Sequence, residues 1–380
     1  MIPSVAAAVS LLEGMMEVLS SAVKLETSSP QLAELYQYLC LAAPFGTPNE
    51  TNPSNLKFQI QFRKGLAMPK EKIPSWRPAV YKGSSKLNVR IKEEVRAVQY
   101  DKEDIEDICQ LYGSVLCKAE LEGHPDIVLN LTTPPDSSHL DHLTVHSCVQ
   151  SSDAEPVLAD TTNRHTDTPH YSRSVRFSAP LETFTLCHYQ QSPALIPIRG
   201  FYQMKGDRTI ELLVQLKLHE TIRNNFEYCE VVIPFFNRGT IEKIDNISPT
   251  SVSLCIGPDN KSLVWNIGQK FPVKSLEVSL SVTVTFTEFP SEEEEERDKT
   301  VDAKFCVEQN SYCELNFKIS DFTLSGCQID PRSITLFPSI KYKLTLGREL
   351  VSSGYRIWNS HGDALGIPFI RNEPVEEIIN

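Results

Sequence analysis

Leu263 to Phe286 reads LVWNIGQKFPVKSLEVSLSVTVTF. From Leu276 on it alternates without a fault: Leu276, Val278, Leu280, Val282, Val284 and Phe286 on one side, Glu277, Ser279, Ser281, Thr283 and Thr285 on the other. A period of two predicts a long strand with one face buried and one face wet, as in an antiparallel sheet. Leu263-Val264-Trp265-Asn266-Ile267 reads as a shorter strand anchored by Trp265. Gly268 to Pro272 carries turn chemistry, so the pair predicts a β-hairpin in a sandwich core.

The flanking chain carries more text of this kind. Leu87-Val89-Ile91, Leu111 to Leu121, Ile127-Leu129-Leu131, Ile210 to Leu218, Leu315-Phe317-Ile319 and Tyr342-Leu344-Leu346 all alternate. Asp101 to Cys109 has more helical character and reads as a connector. Residues 150–174 are polar and predict a long flexible loop, and Ser291 to Glu296 a solvated acidic one. Almost no helix is expected after residue 110, which predicts an all-β protein of one or two sandwiches.

The amino-terminal part differs. Val5, Val9, Leu12, Met16, Leu19 and Val23 fall on one helical stripe, and Ser29-Pro30 opens a second helix that Pro44 and Gly46 end. Residues 44–80 are rich in proline and read as a linker. Between Lys57 and Lys92 stand ten basic residues and one acid, Glu71, in a chain of net charge −12. That concentration makes Lys57, Arg63, Lys64, Lys70 and Lys72 candidates for contact with anionic lipid headgroups, beside the plainer reading of a solvated linker.

Composition narrows the function. A net charge of −12 argues against general nucleic-acid binding, whose affinity comes from neutralising phosphates. No run of eighteen apolar residues exists to form a membrane-spanning helix. The ten cysteines include no C-x-x-C pair and sit mostly in strand-like runs, which predicts reduced, buried thiols in a cytosolic protein. Cys306 and Cys313 could pair in an oxidising compartment; plain thiols are the simpler expectation. His139, His142, His146 and Cys148 form the nearest approach to a metal set, yet ordinary strand-surface histidines explain them. There is no Gly-rich phosphate loop, no G-x-S-x-G elbow and no H-E-x-x-H, so neither an enzyme nor a cofactor is expected.

Several segments, taken in order, resemble the mu homology domain of the medium chains of adaptor-protein complexes. Leu263 to Ile267 is similar to that domain's hydrophobic-Val-Trp-Lys-Ile segment, Phe177 to Phe184 to its Phe-x-Pro-Pro-x-x-x-Phe entry, and Leu315 to Gly326 to its Asn-Phe…Ser-Gly segment. Gly347 to Tyr355 sits where the final Gly-x-Tyr strand should be. Gly200 to Lys205, Asn224 to Glu227, Ile233 to Gly239 and Tyr355 to Ser360 are similar to one subtype, which works on late endosomes and lysosomes.

The resemblance implies two β-sandwich subdomains over residues 75–370, the first from about 75–200 and 338–370, the second, about 201–337, inserted in it. Residues 1–43 would be a helical remnant of a longin-like domain and 44–74 a linker. It implies a cytosolic, non-enzymatic coat subunit, peripheral on late endosome and lysosome membranes, that sorts membrane proteins for retrieval toward the Golgi. Its partners would be large and small adaptor-complex subunits and coat-like associates, with cargo tails unknown. The alternative is a free-standing cytosolic binding module outside any tetramer. Family members that bind Tyr-x-x-hydrophobic tails use an aromatic and an aspartate two apart on the first strand, and Trp-x-Arg on a late strand. The matching positions here are Asn88 and Arg90, and Tyr342 and Leu344, so the acid has become a base and the stacking cation an aliphatic.

Overall fold

The computed structural model describes residues 83–134, 141–152, 157–159, 170–180, 182–193, 195–236, 238–287, 306 and 309–362, with residues 9, 11–16, 35–36, 38–39, 41–43 and 56. In chain order the strands are β1 (Lys86–Gln99), β2 (Ile108–Glu120), β3 (Asp126–Thr133), β4 (Asp141–Val145), β5 (Val149–Ser152), β6 (Val157–Ala159), β7 (His170–Ser178), β8 (Phe184–Gln191), β9 (Ile198–Gly206) and β10 (Thr209–Leu218). They continue as β11 (Phe226–Pro234), β12 (Ile241–Ser248), β13 (Ser253–Ile256), β14 (Ser262–Asn266), β15 (Glu277–Phe286), β16 (Tyr312–Ser320), β17 (Gln328–Ile329), β18 (Thr335–Phe337) and β19 (Lys343–Trp358).

Two compact units emerge: residues 1–93, 111–192 and 323–349 in one, and 94–110, 193–322 and 350–380 in the other. Residues 323–337, read in the sequence as part of the inserted body, lie in the first unit because β17 and β18 pair with β3. The first unit is a sandwich. One sheet holds the first halves of β19 and β1, then β2, β8 and β4; the other is built on β3 and β7. Leu87, Val89 and Ile91 of β1 and Val115 and Cys117 of β2 share one core with Leu129 and Leu131 of β3 and Val175 and Phe177 of β7. In the second unit β12, β15, β10 and β9 form one sheet and β13, β14, β11 and β16 lie in another. The Phe235 and Phe286 rings, one following β11 and one ending β15, meet at 4.9 Å across the layers.

The alternation of β10 and β15 is realised in register, Leu212 opposite Val282 and Val214 opposite Leu280. The expected hairpin is not. β14 pairs with β11 and β13, whereas β15 pairs with β10 and β12, so the two strands belong to different sheets. Gly268, at φ 94°, turns the chain, and Phe271 then drops into the core. Asn224 holds it there with two bonds, Nδ2 to the Phe271 carbonyl at 2.9 Å and Oδ1 from the Phe271 N–H at 2.8 Å. Burying a phenylalanine contributes about 1.5–3 kcal/mol, which a tight hairpin turn would forgo.

Three further expectations change. The stretch 150–174 contains the ends of β5 and β7 and all of β6, because β7 gives a polar chain backbone partners on its free side. Residues 101–107 form turns and one bridge, Lys102 with Ile105, before β2 begins. In the first helix, Leu11 and Met15 pack with Tyr38, Leu41 and Leu56, while Val9, Leu12 and Met16 are exposed. The buried face is set by Gly14, over which the Tyr38 ring lies. Of the nine described cysteines, all free, Cys255 is exposed and Cys109 half-buried; the rest are buried.

Candidate functional site

Asn88 and Arg90 lie on β1, where Leu87, Val89 and Ile91 point into the core and the residues between them point out. The neighbouring strand is β19. The Lys343 N–H donates to the Ser85 carbonyl at 3.0 Å, and Gly347 stands beside Arg90, so β1 and β19 run in the same direction. Tyr342 and Leu344 pack, with Leu346, toward the core. The structure therefore sets Asn88 and Arg90 on the outer face and Tyr342 and Leu344 on the inner side. On β19 the outer face belongs to Lys343 and Thr345, both exposed, with exposed Lys341 just before the strand. The sequence signal for this was the alternation itself, with Leu344 and Leu346 in one phase and Lys343 and Thr345 in the other.

β19 changes neighbours along its length. The Asn359 N–H reaches the Ser311 carbonyl at 2.9 Å, and the Phe317 N–H reaches Ser352 Oγ at 2.8 Å, an antiparallel pairing of β16 with the far half of β19. This pairing runs from Ser352 on β19 to Asn359 just past its end. Residues 343–348 precede that stretch. Among the described residues, β1 is the only strand bonded to this half of β19. A strand edge carries backbone N–H and carbonyl groups in a row along its length.

The outer face beside that edge is basic. Lys86, Arg90, Lys341 and Lys343 are exposed. Lys118 of β2 joins them, paired with Glu120 at 2.9 Å. The lysine neighbours Lys118 and Lys86 hold the Glu120 carboxyl below its usual range, which places all three on one face. A Cβ at Gly347 would stand 3.7 Å from both Cγ and Nε of Arg90, so that side chain lies over the glycine.

Beneath β1 lies a group that the sequence reading passed over. Glu93 is fully buried and accepts from Tyr189 Oη at 2.7 Å, from the Leu324 N–H at 2.5 Å, from the Ser325 N–H at 3.3 Å, and from Ser325 Oγ. Burial pushes its carboxyl up, and the hydrogen bonds partly offset that. It fastens the Leu324-Ser325-Gly326 turn to the sheet. A signal was present: Glu93 continues the inward phase of Leu87, Val89 and Ile91.

Other candidates fall elsewhere. Lys57, Arg63, Lys64, Lys70 and Lys72 lie outside the described residues, as does His139. His146 Nδ1 accepts from the Cys148 N–H at 3.1 Å, and its ring lies 5.1 Å from that of Phe184. In the second unit a cavity of about 560 Å³ is lined by Arg199, Phe201, Gln215, Lys217 and Glu277, among others. Its Lys217 and Glu277 already pair at 2.8 Å.

A model of the adaptor complexes medium subunit family matches residues 74–351. The AP-5 complex subunit mu-1 of Bos taurus is 37% identical over 359 residues, which cover 93% of this chain and 71% of that one. The Homo sapiens AP-5 complex subunit mu-1 is 39% identical over 338 residues, 88% of this chain and 67% of that one. Among solved structures, the Danio rerio Fcho1 mu homology domain with bound Eps15 peptide is similar at a TM-score of 0.48 and 11% identity, covering 74% of this chain and 99% of that chain.

Proposed function

The chain belongs to the adaptor complexes medium subunit family, and from that premise we propose that it is the mu subunit of an AP-5-type coat. It has no catalytic role. It works from the cytosol on late endosome and lysosome membranes, sorting membrane proteins for retrieval toward the Golgi. Its partners are large and small adaptor subunits and coat-like associates. The observation that carries this reading is identity of 37–39% to AP-5 mu-1 chains, sustained over most of this sequence. In the same reading residues 1–43 are the helical part of a longin-like domain, and the linker lysines and arginines from Lys57 to Lys72 touch anionic headgroups. Affinity purification of the endogenous chain tests it: stoichiometric large and small subunits are expected. Recovery of the chain alone would favour a free-standing binding module.

The same reading makes a prediction about cargo. In this chain Asn88 and Arg90 stand where a tyrosine-reading pocket keeps its aromatic and its acid. A tyrosine hydroxyl buried without its acceptor costs about 1–3 kcal/mol, roughly ten- to a hundredfold in affinity. A Tyr-x-x-hydrophobic peptide and its Tyr→Ala version are expected to bind equally poorly in calorimetric titration. Micromolar binding that vanishes with the tyrosine would refute this.

A further inference from the structure

We propose that the cavity of the second unit binds the phosphoethanolamine headgroup of a membrane lipid, with its phosphate at Arg199 and its ammonium at Asp101 and Asp107. The proposal rests on the membrane-peripheral reading above and adds a lipid chemistry to it. Two observations carry it. The cavity, of about 560 Å³, has the size at which small molecules bind. Its wall also holds uncompensated charges of both signs.

The floor is the outer face of β9, β10 and β15, and register fixes its order. Arg199 stands opposite Lys217 and Lys217 opposite Glu277; two residues along, Phe201 stands opposite Gln215 and Gln215 opposite Ser279. Lys217 and Glu277 neutralise each other at 2.8 Å. The segment after β1 brings Asp101 and Asp107 to the same cavity. Asp107 Oδ1 accepts from the Tyr100 N–H at 2.9 Å, which fixes that carboxylate. Among the described residues, Arg199 and Asp101 take part in no ion pair. Burial pushes the Tyr355 phenol up, and of the charges acting on it Asp107 raises it and Arg199 lowers it. Its hydroxyl donates to the Ile198 carbonyl at 2.6 Å, next to Arg199, so both signs stand near one point without meeting.

The complement to such a wall is a small group with a cation and an oxyanion a few bonds apart. An ammonium has three N–H donors for two aspartates, and the guanidinium fork suits a phosphate. Gln215 and Ser279 offer further donors to phosphate oxygens, and the Phe201 ring covers the carbons between the charges. Arg199, Gln215, Lys217 and Ser279 are exposed, so the site is open to a headgroup carried on a larger body. Choline has no N–H for the aspartates, and the carboxylate of serine would face them, which leaves ethanolamine as the headgroup favoured.

The test is calorimetric titration of the full chain with glycerophosphoethanolamine, beside flotation on phosphatidylcholine vesicles with and without phosphatidylethanolamine. Neither vesicle carries net charge, so the basic linker residues add nothing. Saturable binding is expected, with flotation only where phosphatidylethanolamine is present. Arg199→Glu should weaken both about tenfold, the worth of one charge-assisted bond, and so should Asp101→Asn with Asp107→Asn. Asparagine keeps an acceptor for the Tyr100 N–H and suits the φ of 51° at position 101, so the fold is retained. Glycerophosphocholine should bind far more weakly. Equal binding of the two compounds, indifference to Arg199→Glu, or no binding would overturn the proposal. Binding of the soluble compound without flotation would overturn the lipid source, and the proposal with it. Co-purification of large and small subunits does not depend on Arg199. A negative lipid result with intact assembly would therefore sink this inference and leave the adaptor reading standing.

Discussion

Glu93→Ala is expected to destabilise the first unit strongly, since each buried donor left without its acceptor costs about 1–3 kcal/mol. Four donors converge on this carboxylate: the Tyr189 and Ser325 hydroxyls and the Leu324 and Ser325 N–H groups. Alanine leaves all four without their acceptor in a dry interior, and also leaves a cavity. Glu93→Gln should cost far less. Its carbonyl oxygen can take the two backbone N–H groups, and its NH₂ can donate to the two hydroxyls, which accept as readily as they donate. Chemical denaturation at neutral pH would rank wild type, Gln and Ala in that order, with Gln close to wild type; a small Ala effect would contradict the assignment.

The pair also separates charge from shape. The Glu93 carboxyl titrates at 4.5 when free and higher in the fold. The native state then holds more protons than the unfolded one between those two values, so Glu93's contribution to stability falls as pH rises through that window. Glutamine does not titrate. The stability of Glu93→Gln should therefore decline less than that of the wild type as pH rises from 4.5, and parallel pH profiles would show that Glu93 is not the group responsible.

How far all this was legible in the sequence differs from element to element, for physical reasons. Period-two alternation gives the faces of a strand, so β1, β10 and β15 were readable and the core side chains with them. Alternation does not say which strand lies alongside. Ile267 to Pro272 carries residues that serve a hairpin or a crossover equally well, and the choice was made by Phe271 finding a buried seat with Asn224. In the same way a short polar strand such as β6 has no pattern of its own and exists because β7 offers it an edge. The site shows both sides of this. Asn88 and Arg90 were placed on the wet face by their neighbours Leu87, Val89 and Ile91. The role of Gly347 was not readable, because a glycine shows its use only when the side chain crossing it is seen.

Gly113→Val should be the most damaging single substitution on β2, and the reason is its cross-strand partner. Gly113 faces Tyr189 of β8, and the Tyr189 ring lies directly over the glycine on its way to Glu93. A Cβ at position 113 would stand 1.9 Å from Tyr189 Cζ and 2.1 Å from Cε2. No real contact is that short, and the atoms that must move belong to a rigid ring, fully buried, whose hydroxyl is fixed by Glu93. Overpacking of this kind costs about 1–3 kcal/mol or more, and displacing the ring adds the loss of a charge-assisted hydrogen bond, about 1.5–3 kcal/mol. Gly347→Ala provides the contrast: its Cβ would meet Arg90 at 3.7 Å, ordinary contact, and stability should be unchanged. The diagnostic experiment is a double-mutant cycle, since contacting residues do not add. Gly113→Ala and Tyr189→Ala are each destabilising, the second because it empties the space above Gly113 and strips a donor from Glu93. In the double variant the new methyl meets no ring, so the combined loss should fall short of the sum by at least about 1 kcal/mol. Strict additivity would mean that the ring and the glycine are not the pair that holds Glu93 in place.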